Sequence, residues 1–136
     1  MSLAYVNIGS NLGNRRELIN RALDKLYEEY GILCVSSFIE SDPWGFESVN
    51  RFLNLGVSFK TDHHPEELLR HLQSIEKSIS NLNHRDKIGN YIDREIDIDI
   101  MAIDEIVYKS DVLTVPHQHL SDREFFLKPY QELRAE

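Results

Sequence analysis

With 136 residues, 41% of them apolar, the chain can close one hydrophobic core and is too apolar for wholesale disorder. A formal net charge of −8 argues against a nucleic-acid partner, which calls for a basic stripe. No run approaches the roughly 18 apolar residues of a membrane span. The start carries no basic-then-apolar leader, so the expectation is one domain over residues 1–136, a cytoplasmic monomer with no membrane contact. Cys34 stands alone in the apolar run Ile32 to Val35, which fits a reducing compartment and a small buried hydrophobe.

Tyr5 to Ile8 reads as a first strand, broken by the turn residues Gly9-Ser10-Asn11-Leu12-Gly13-Asn14. A helix follows over about Arg15 to Tyr30, its stripe Leu18, Ala22, Leu26 and Tyr30 widened by Leu23 and Tyr27. Gly31 stops it. Ile32 to Ile39 predicts a second strand, Glu40 to Asn50 a loop, and Phe52 to Phe59 a third strand. Thr61-Asp62 and Pro65 open a second helix, with the stripe Leu68, Leu69, Leu72, Ile75 and Ile79. Asn81 to Asp93 is polar and without period, a loop expected to move. Glu95 to Ile103 is a fourth strand, with Ile106 to Tyr108 expected to pair with it. Val112 to Pro116 is extended, and a short helix is expected over Ser121 to Phe126. The order β-α-β-β-α-β predicts an α+β, ferredoxin-like fold, an antiparallel sheet with helices packed on one face.

The sharpest chemical signal is Arg94-Glu95-Ile96-Asp97-Ile98-Asp99-Ile100. Strand side chains alternate, so the isoleucines face the core together and Asp97 and Asp99 face the other way. Carboxylates two residues apart, about 6.5 Å at Cα, can converge on a hard cation. Magnesium takes oxygen ligands, usually one or two carboxylates plus substrate phosphates. The competing reading is a solvated strand face, but Asp is depleted in strands and neighbouring like charges repel. Arg94 could reach phosphates held by such a metal with its planar fork; a salt bridge to Glu95 or Asp93 explains it equally well.

Asp42-Pro43-Trp44-Gly45-Phe46 sets aromatics in a turn, where they either stack on a flat ring or cap the core; the cap is the commoner use. Asn54 could read a ring's donor and acceptor edge, against the plain alternative of a solvent-facing strand Asn. Leu113-Thr114-Val115-Pro116-His117 places a hydroxyl and an imidazole after an extended run, His117 being able to donate to a phosphate or serve structure alone. His63-His64, His71, His84 and His119 show no recognised zinc spacing. A phosphate-binding loop ending in Lys-Ser/Thr and a nucleophile elbow are both absent.

Together these stretches resemble the 6-hydroxymethyl-7,8-dihydropterin pyrophosphokinases, enzymes of folate biosynthesis. The likeness runs from about Ala4 to Tyr130. It rests on Ala4-Tyr5-Val6-Asn7-Ile8-Gly9-Ser10-Asn11-Leu12-Gly13, Pro43-Trp44-Gly45, Phe52-Leu53-Asn54, Ile75-Glu76, Arg94 to Ile100, Leu113 to His117, and Arg123-Glu124-Phe125-Phe126-Leu127-Lys128-Pro129. The resemblance implies a ferredoxin-like fold and transfer of the β,γ-pyrophosphoryl unit of ATP to a hydroxymethyl dihydropterin, releasing AMP. It implies two magnesium ions on Asp97 and Asp99. Pterin would meet Ser41, Asp42, Pro43, Trp44, Gly45, Phe52, Asn54, Asp97 and Phe125. ATP would meet Gln73, Glu76, Arg94, Ile100, Thr114, His117 and Arg123.

The loop over 81–93 would close on ATP and bring bases to the phosphates, with Arg85 and Arg94 serving catalysis beside Asp97 and Asp99. Departures from the family pattern fall in that loop and on the pterin side. Asn81 and Asn83 stand where arginines are usual, leaving His84, Arg85 and Lys87 as replacements, and Phe52 replaces a tyrosine. The rival reading is therefore a pterin- or nucleotide-binding homologue on the same scaffold with weakened transfer.

Overall fold

The computed structural model describes residues 1–43, 50–80 and 95–135. Its elements are β1 (Ser2–Ser10), α1 (Arg15–Tyr30), β2 (Cys34–Val35), β3 (Ile39–Ser41), β4 (Phe52–Thr61), α2 (Pro65–Ile79), β5 (Asp97–Ile103), β6 (Tyr108–Lys109), β7 (Thr114–Val115) and α3 (Glu124–Arg134). The main sheet runs β2-β4-β1-β5, with β3 also on β4, and its pairs are antiparallel. This is the ferredoxin-like order expected from the sequence.

Both long helices are set by local chemistry. The Asn14 side chain accepts from the Glu17 N–H at the start of α1, and Gly31 ends it in a left-handed conformation, φ 81°, its N–H on the Tyr27 carbonyl. At α2, the His64 ring accepts from the Glu66 N–H while Glu67 accepts from the His64 N–H, with Pro65 at the first helical position. Leu18, Ile19, Ala22 and Leu26 of α1 and Leu68, Leu72 and Ile79 of α2 bury against one sheet face. Tyr27, expected in the stripe, is 63% exposed, and Ile19 takes the place. The sheet supplies Ala4, Val6, Ile8, Leu53, Leu55, Val57, Phe59, Ile96, Ile98 and Ile100 to this core. Full burial of each large apolar side chain contributes roughly 1.5–3 kcal/mol before entropy is counted.

Four features differ from the sequence expectation. The second strand is split: four steps from Val35 to Ile39 oppose three from Val57 to Asn54, so one residue bulges. Ser36 explains the break, because its hydroxyl accepts from the Gly56 N–H and donates to the Ser37 carbonyl, competing with the ladder. Cys34 is exposed, on the outer edge of the sheet rather than in the core. Residues 106–108 do not pair with the fourth strand; the chain turns at Asp104, φ 43°, and Tyr108–Lys109 pairs with Thr114–Val115 in a separate ribbon. The Tyr108 hydroxyl donates to Glu66, fastening the ribbon to α2.

The fourth difference is α3, which runs to Arg134 through Pro129 instead of ending near Phe126. It packs on the sheet face opposite α1 and α2, with Tyr5, Met101, Ala102, Phe126 and Leu133 forming a second core. Gly56 permits this: a Cβ there would lie 2.7 Å from the Pro129 Cβ and 3.1 Å from a Leu133 methyl. Pro129, inside this helix, is the residue that seats α3 on the sheet.

Candidate active site

The site follows from register. Asp99, Asn7 and Gly56 stand side by side across β5, β1 and β4, and the next row outward is Asp97, Gly9 and Asn54. These side chains share the face away from α1 and α2, because Ile96, Ile98 and Ile100 between them are 0–4% exposed in the first core. The packing of α3 falls on the Tyr5 and Gly56 rows, so the Asp97–Gly9–Asn54 row lies beyond it. A bulge at Met101 shifts the pairing between Tyr5 and Val6, which leaves Asp97 and Asp99 in alternation on one face.

Two buried carboxamides order this surface. Asn7 donates to the Phe125 carbonyl at 2.7 Å, holding the first turn of α3 at the border of the site. Asn54 donates to the Ser41 hydroxyl at 2.8 Å and to the Ile39 carbonyl at 3.3 Å, which turns its carbonyl oxygen toward Gly9. A Cβ on Gly9 would lie 3.0 Å from that oxygen and 3.4 Å from the Phe52 ring, so glycine lets Asn54 and Phe52 lie over the strand. Asp42, by contrast, is turned outward into an ion pair with Arg51 at 3.3 Å.

Beside the aspartates, a pocket of about 430 Å³ opens between β5, the β6–β7 ribbon and α2. Asp99, Ile100, Thr114 and His117 line it, together with Leu69 and Ile98. The His117 ring stacks edge-on against Phe126 at 4.8 Å, and Arg123 lies over the Phe126 ring at 5.2 Å and the Phe125 ring at 5.7 Å. Burial, then the nearby Arg123 charge and His119, lower the His117 pKa to about 4, against an opposing pull from Asp97. Its Nδ1 accepts from the His119 N–H at 3.0 Å, so the neutral ring carries its proton on Nε2. A neutral imidazole at that place is a hydrogen-bond donor with no charge to repel a metal.

That burial has a measurable consequence in the metal-free protein. The folded state keeps His117 neutral down to about pH 4, whereas an unfolded histidine takes its proton near 6.5. Between these values the unfolded chain binds more protons. His117 therefore lowers stability as pH falls from 6.5 towards 4, by at most about 1.4 kcal/mol per pH unit. We expect urea midpoints at pH 7 and pH 5 to differ less in His117→Gln than in the parent; an unchanged difference would show that the ring is not protected.

Glu76 holds an apolar position on α2, one turn beyond Leu72, and is 6% exposed. Its carboxylate accepts from the Ile98 N–H at 2.7 Å. That bond fixes the strand residue between the two aspartates, so Glu76 supports the site from beneath. Gln73 is exposed on the same helix, a turn beyond Leu69 of the pocket wall. Trp44, Gly45, Arg85 and Arg94 lie outside the described residues. Asn7, Gly9 and Leu69 are additions that no chemical motif marked. The alternation Val6-Asn7-Ile8-Gly9 carries the first two, as small polar residues opposite an apolar face.

The sequence model for 7,8-dihydro-6-hydroxymethylpterin-pyrophosphokinase matches residues 5–135. The chain belongs to this pyrophosphokinase family. Among its curated relatives, the 2-amino-4-hydroxy-6-hydroxymethyldihydropteridine pyrophosphokinase of Aquifex aeolicus is 39% identical over 98% of this chain and 81% of its own. The enzyme of that name from Porphyromonas gingivalis is 36% identical over 98% and 91%, and that from Bacillus subtilis 33% over 97% and 78%. Among solved structures, an HPPK-DHPS in complex with substrates superposes with a TM-score of 0.72 at 14% identity, over 98% of this chain and 42% of that one. Plasmodium falciparum HPPK-DHPS with pteroate gives 0.67 at 16%, over 96% and 38%. At such identity the superpositions bear on fold alone, and this chain spans about two fifths of those chains. As a family member the chain is a pyrophosphokinase.

Proposed function

We propose that the Asp97–Asp99 face is where the pyrophosphoryl group of ATP passes to the hydroxymethyl group of a dihydropterin, with release of AMP, a step of folate biosynthesis. The transfer is the activity of the family. The residue roles rest on one observation: two carboxylates share a sheet face with a buried carboxamide on one side and an open pocket on the other.

The donor set suits magnesium, because Asp97 and Asp99 offer carboxylate oxygens, the ligands a hard cation prefers. Two magnesium ions on them, when bound, would neutralise triphosphate charge. The chain's own residues divide the remaining work. Asn54, held by Ser41, and Asp97 address the donor and acceptor edge of the pterin, with Phe52, Phe125, Pro43, Trp44 and Gly45 around the ring and Asp42 beside it. Thr114, the Nε2–H of His117, Arg123, Gln73 and the Ile100 backbone hold ATP. Arg94 and Arg85 supply charge to the moving phosphoryl oxygens, where positioning and neutralisation carry most of the catalysis.

Among the described residues no helix is long and apolar enough to cross a membrane. We take the chain to act as one domain, a cytoplasmic monomer. The test is an AMP-release assay with Mg-ATP and 6-hydroxymethyl-7,8-dihydropterin. We expect AMP to form in proportion to the dihydropterin and not without it; ligand binding with no AMP formed would favour the weakened homologue suggested by Asn81 and Asn83. In the same assay Arg85→Ala and Arg94→Ala each lower turnover with little change in affinity, and unchanged turnover in both removes their assigned roles.

Gly9→Ala separates the two ligands. The added methyl would press on the Asn54 oxygen and the Phe52 ring. We expect dihydropterin affinity to fall by roughly tenfold, the size of a displaced hydrogen bond, with Mg-ATP affinity kept. Equal loss for both ligands would place pterin elsewhere.

A further inference from the structure

On the helical side of the molecule, away from Asp97 and Asp99, the fold gathers Glu29 from the end of α1, His63 from the approach to α2 and His71 from within α2. We propose that these three side chains bind a divalent transition metal, with zinc the best match, at a site distinct from the catalytic face.

The adjacent histidines 63 and 64 have separate tasks. His64 caps α2 through its ring and packs edge-on against Tyr108. His63 is pinned by its N–H on the Thr61 hydroxyl and turns toward α1. Along α2, Glu67 and His71 follow His63 at successive four-residue steps, so the three form one stripe. The sequence therefore shows no recognised zinc spacing, because the set is completed by Glu29 from another helix.

The geometry is close to that of a ligated metal. The Glu29 Oε1 lies 3.2 Å from His71 Nδ1 and 3.9 Å from His63 Nε2. The ligand atoms of the three residues all fall within 4.8 Å of one another. Tetrahedral zinc with bonds near 2.05 Å sets its ligands roughly 3.4 Å apart, so small rotations of partly exposed side chains suffice. His63 has Nε2 toward Glu29 and Nδ1 toward the Glu67 carboxylate at 3.9 Å. A carboxylate behind a ligating imidazole is the usual orienting arrangement. Glu29 and His71 also line an open pocket of about 280 Å³ with Lys25, Glu28 and Ser74, which leaves a fourth position reachable by water. Two imidazoles and one carboxylate suit zinc better than magnesium.

The test uses Zn²⁺ and Co²⁺ alone on the full chain. We expect zinc to bind one site, to raise the melting temperature, and Co²⁺ to give the strong visible bands of a four-coordinate centre. His63→Ala and His71→Ala should each weaken zinc binding on the order of 100-fold, and Glu67→Gln, acting through His63, by about tenfold. His71→Gln keeps the helix and should lose the cobalt bands without losing AMP release. Zinc affinity unchanged in the His63→Ala/His71→Ala double variant, or zinc binding lost instead in Asp97→Asn/Asp99→Asn, would overturn the assignment. So would a weak, six-coordinate cobalt spectrum.

Discussion

Asp97→Asn and Asp99→Asn should each lower AMP release on the order of 10³-fold, about 4 kcal/mol of transition-state stabilisation. Asparagine keeps the shape of each side chain and removes the charge that a cation needs. The folded state should not suffer with it. The two carboxylates alternate with isoleucines on one strand and face the same way, so either substitution leaves the core side of β5 untouched. We therefore expect denaturation midpoints close to the parent value. Activity lost together with stability would mean that the aspartates hold the sheet together, and turnover within tenfold of the parent would remove them from the reaction.

Glu76→Ala should unfold more easily, by about 2–4 kcal/mol, and should bind Mg-ATP more weakly. The carboxylate is buried and accepts from the Ile98 N–H at 2.7 Å. Truncation leaves that strand N–H without its acceptor inside the protein, a penalty of about 1–3 kcal/mol, and adds a small cavity. Ile98 stands between Asp97 and Asp99, so relaxation of its backbone shifts both carboxylates. Glu76→Gln keeps an acceptor oxygen and should recover much of the stability. An Ala variant with a parent-like urea midpoint would show that the bond contributes nothing net.

The ends of helix α1 were legible, because turn residues up to Asn14 and a stop at Gly31 bound the stripe of Leu18, Ala22 and Leu26, although Tyr27 left that stripe for solvent. The faces of β5 were legible because isoleucine and aspartate alternate without exception from Ile96 to Ile100. What escaped depended on contacts distant in sequence. The length of α3 depends on the place Gly56 offers Pro129, and Ser36 reads as a strand residue until its hydroxyl takes the Gly56 N–H. Cys34 sits in an apolar run that looks buried, yet β2 is the edge of the sheet. The same holds at the site. Asp97, Asp99 and Asn54 carried a chemical signal, whereas Gly9 matters through the empty space it leaves, and Glu76, which the resemblance gave to ATP, holds a strand N–H that no periodicity reveals.

Calorimetric titration of Mg-ATP tests the carboxylate pair without the chemical step. We expect magnesium-dependent binding to the parent chain and none to the Asp97→Asn/Asp99→Asn double variant at the same concentrations, with the fold intact by circular dichroism. Tight Mg-ATP binding retained in the folded double variant would contradict it.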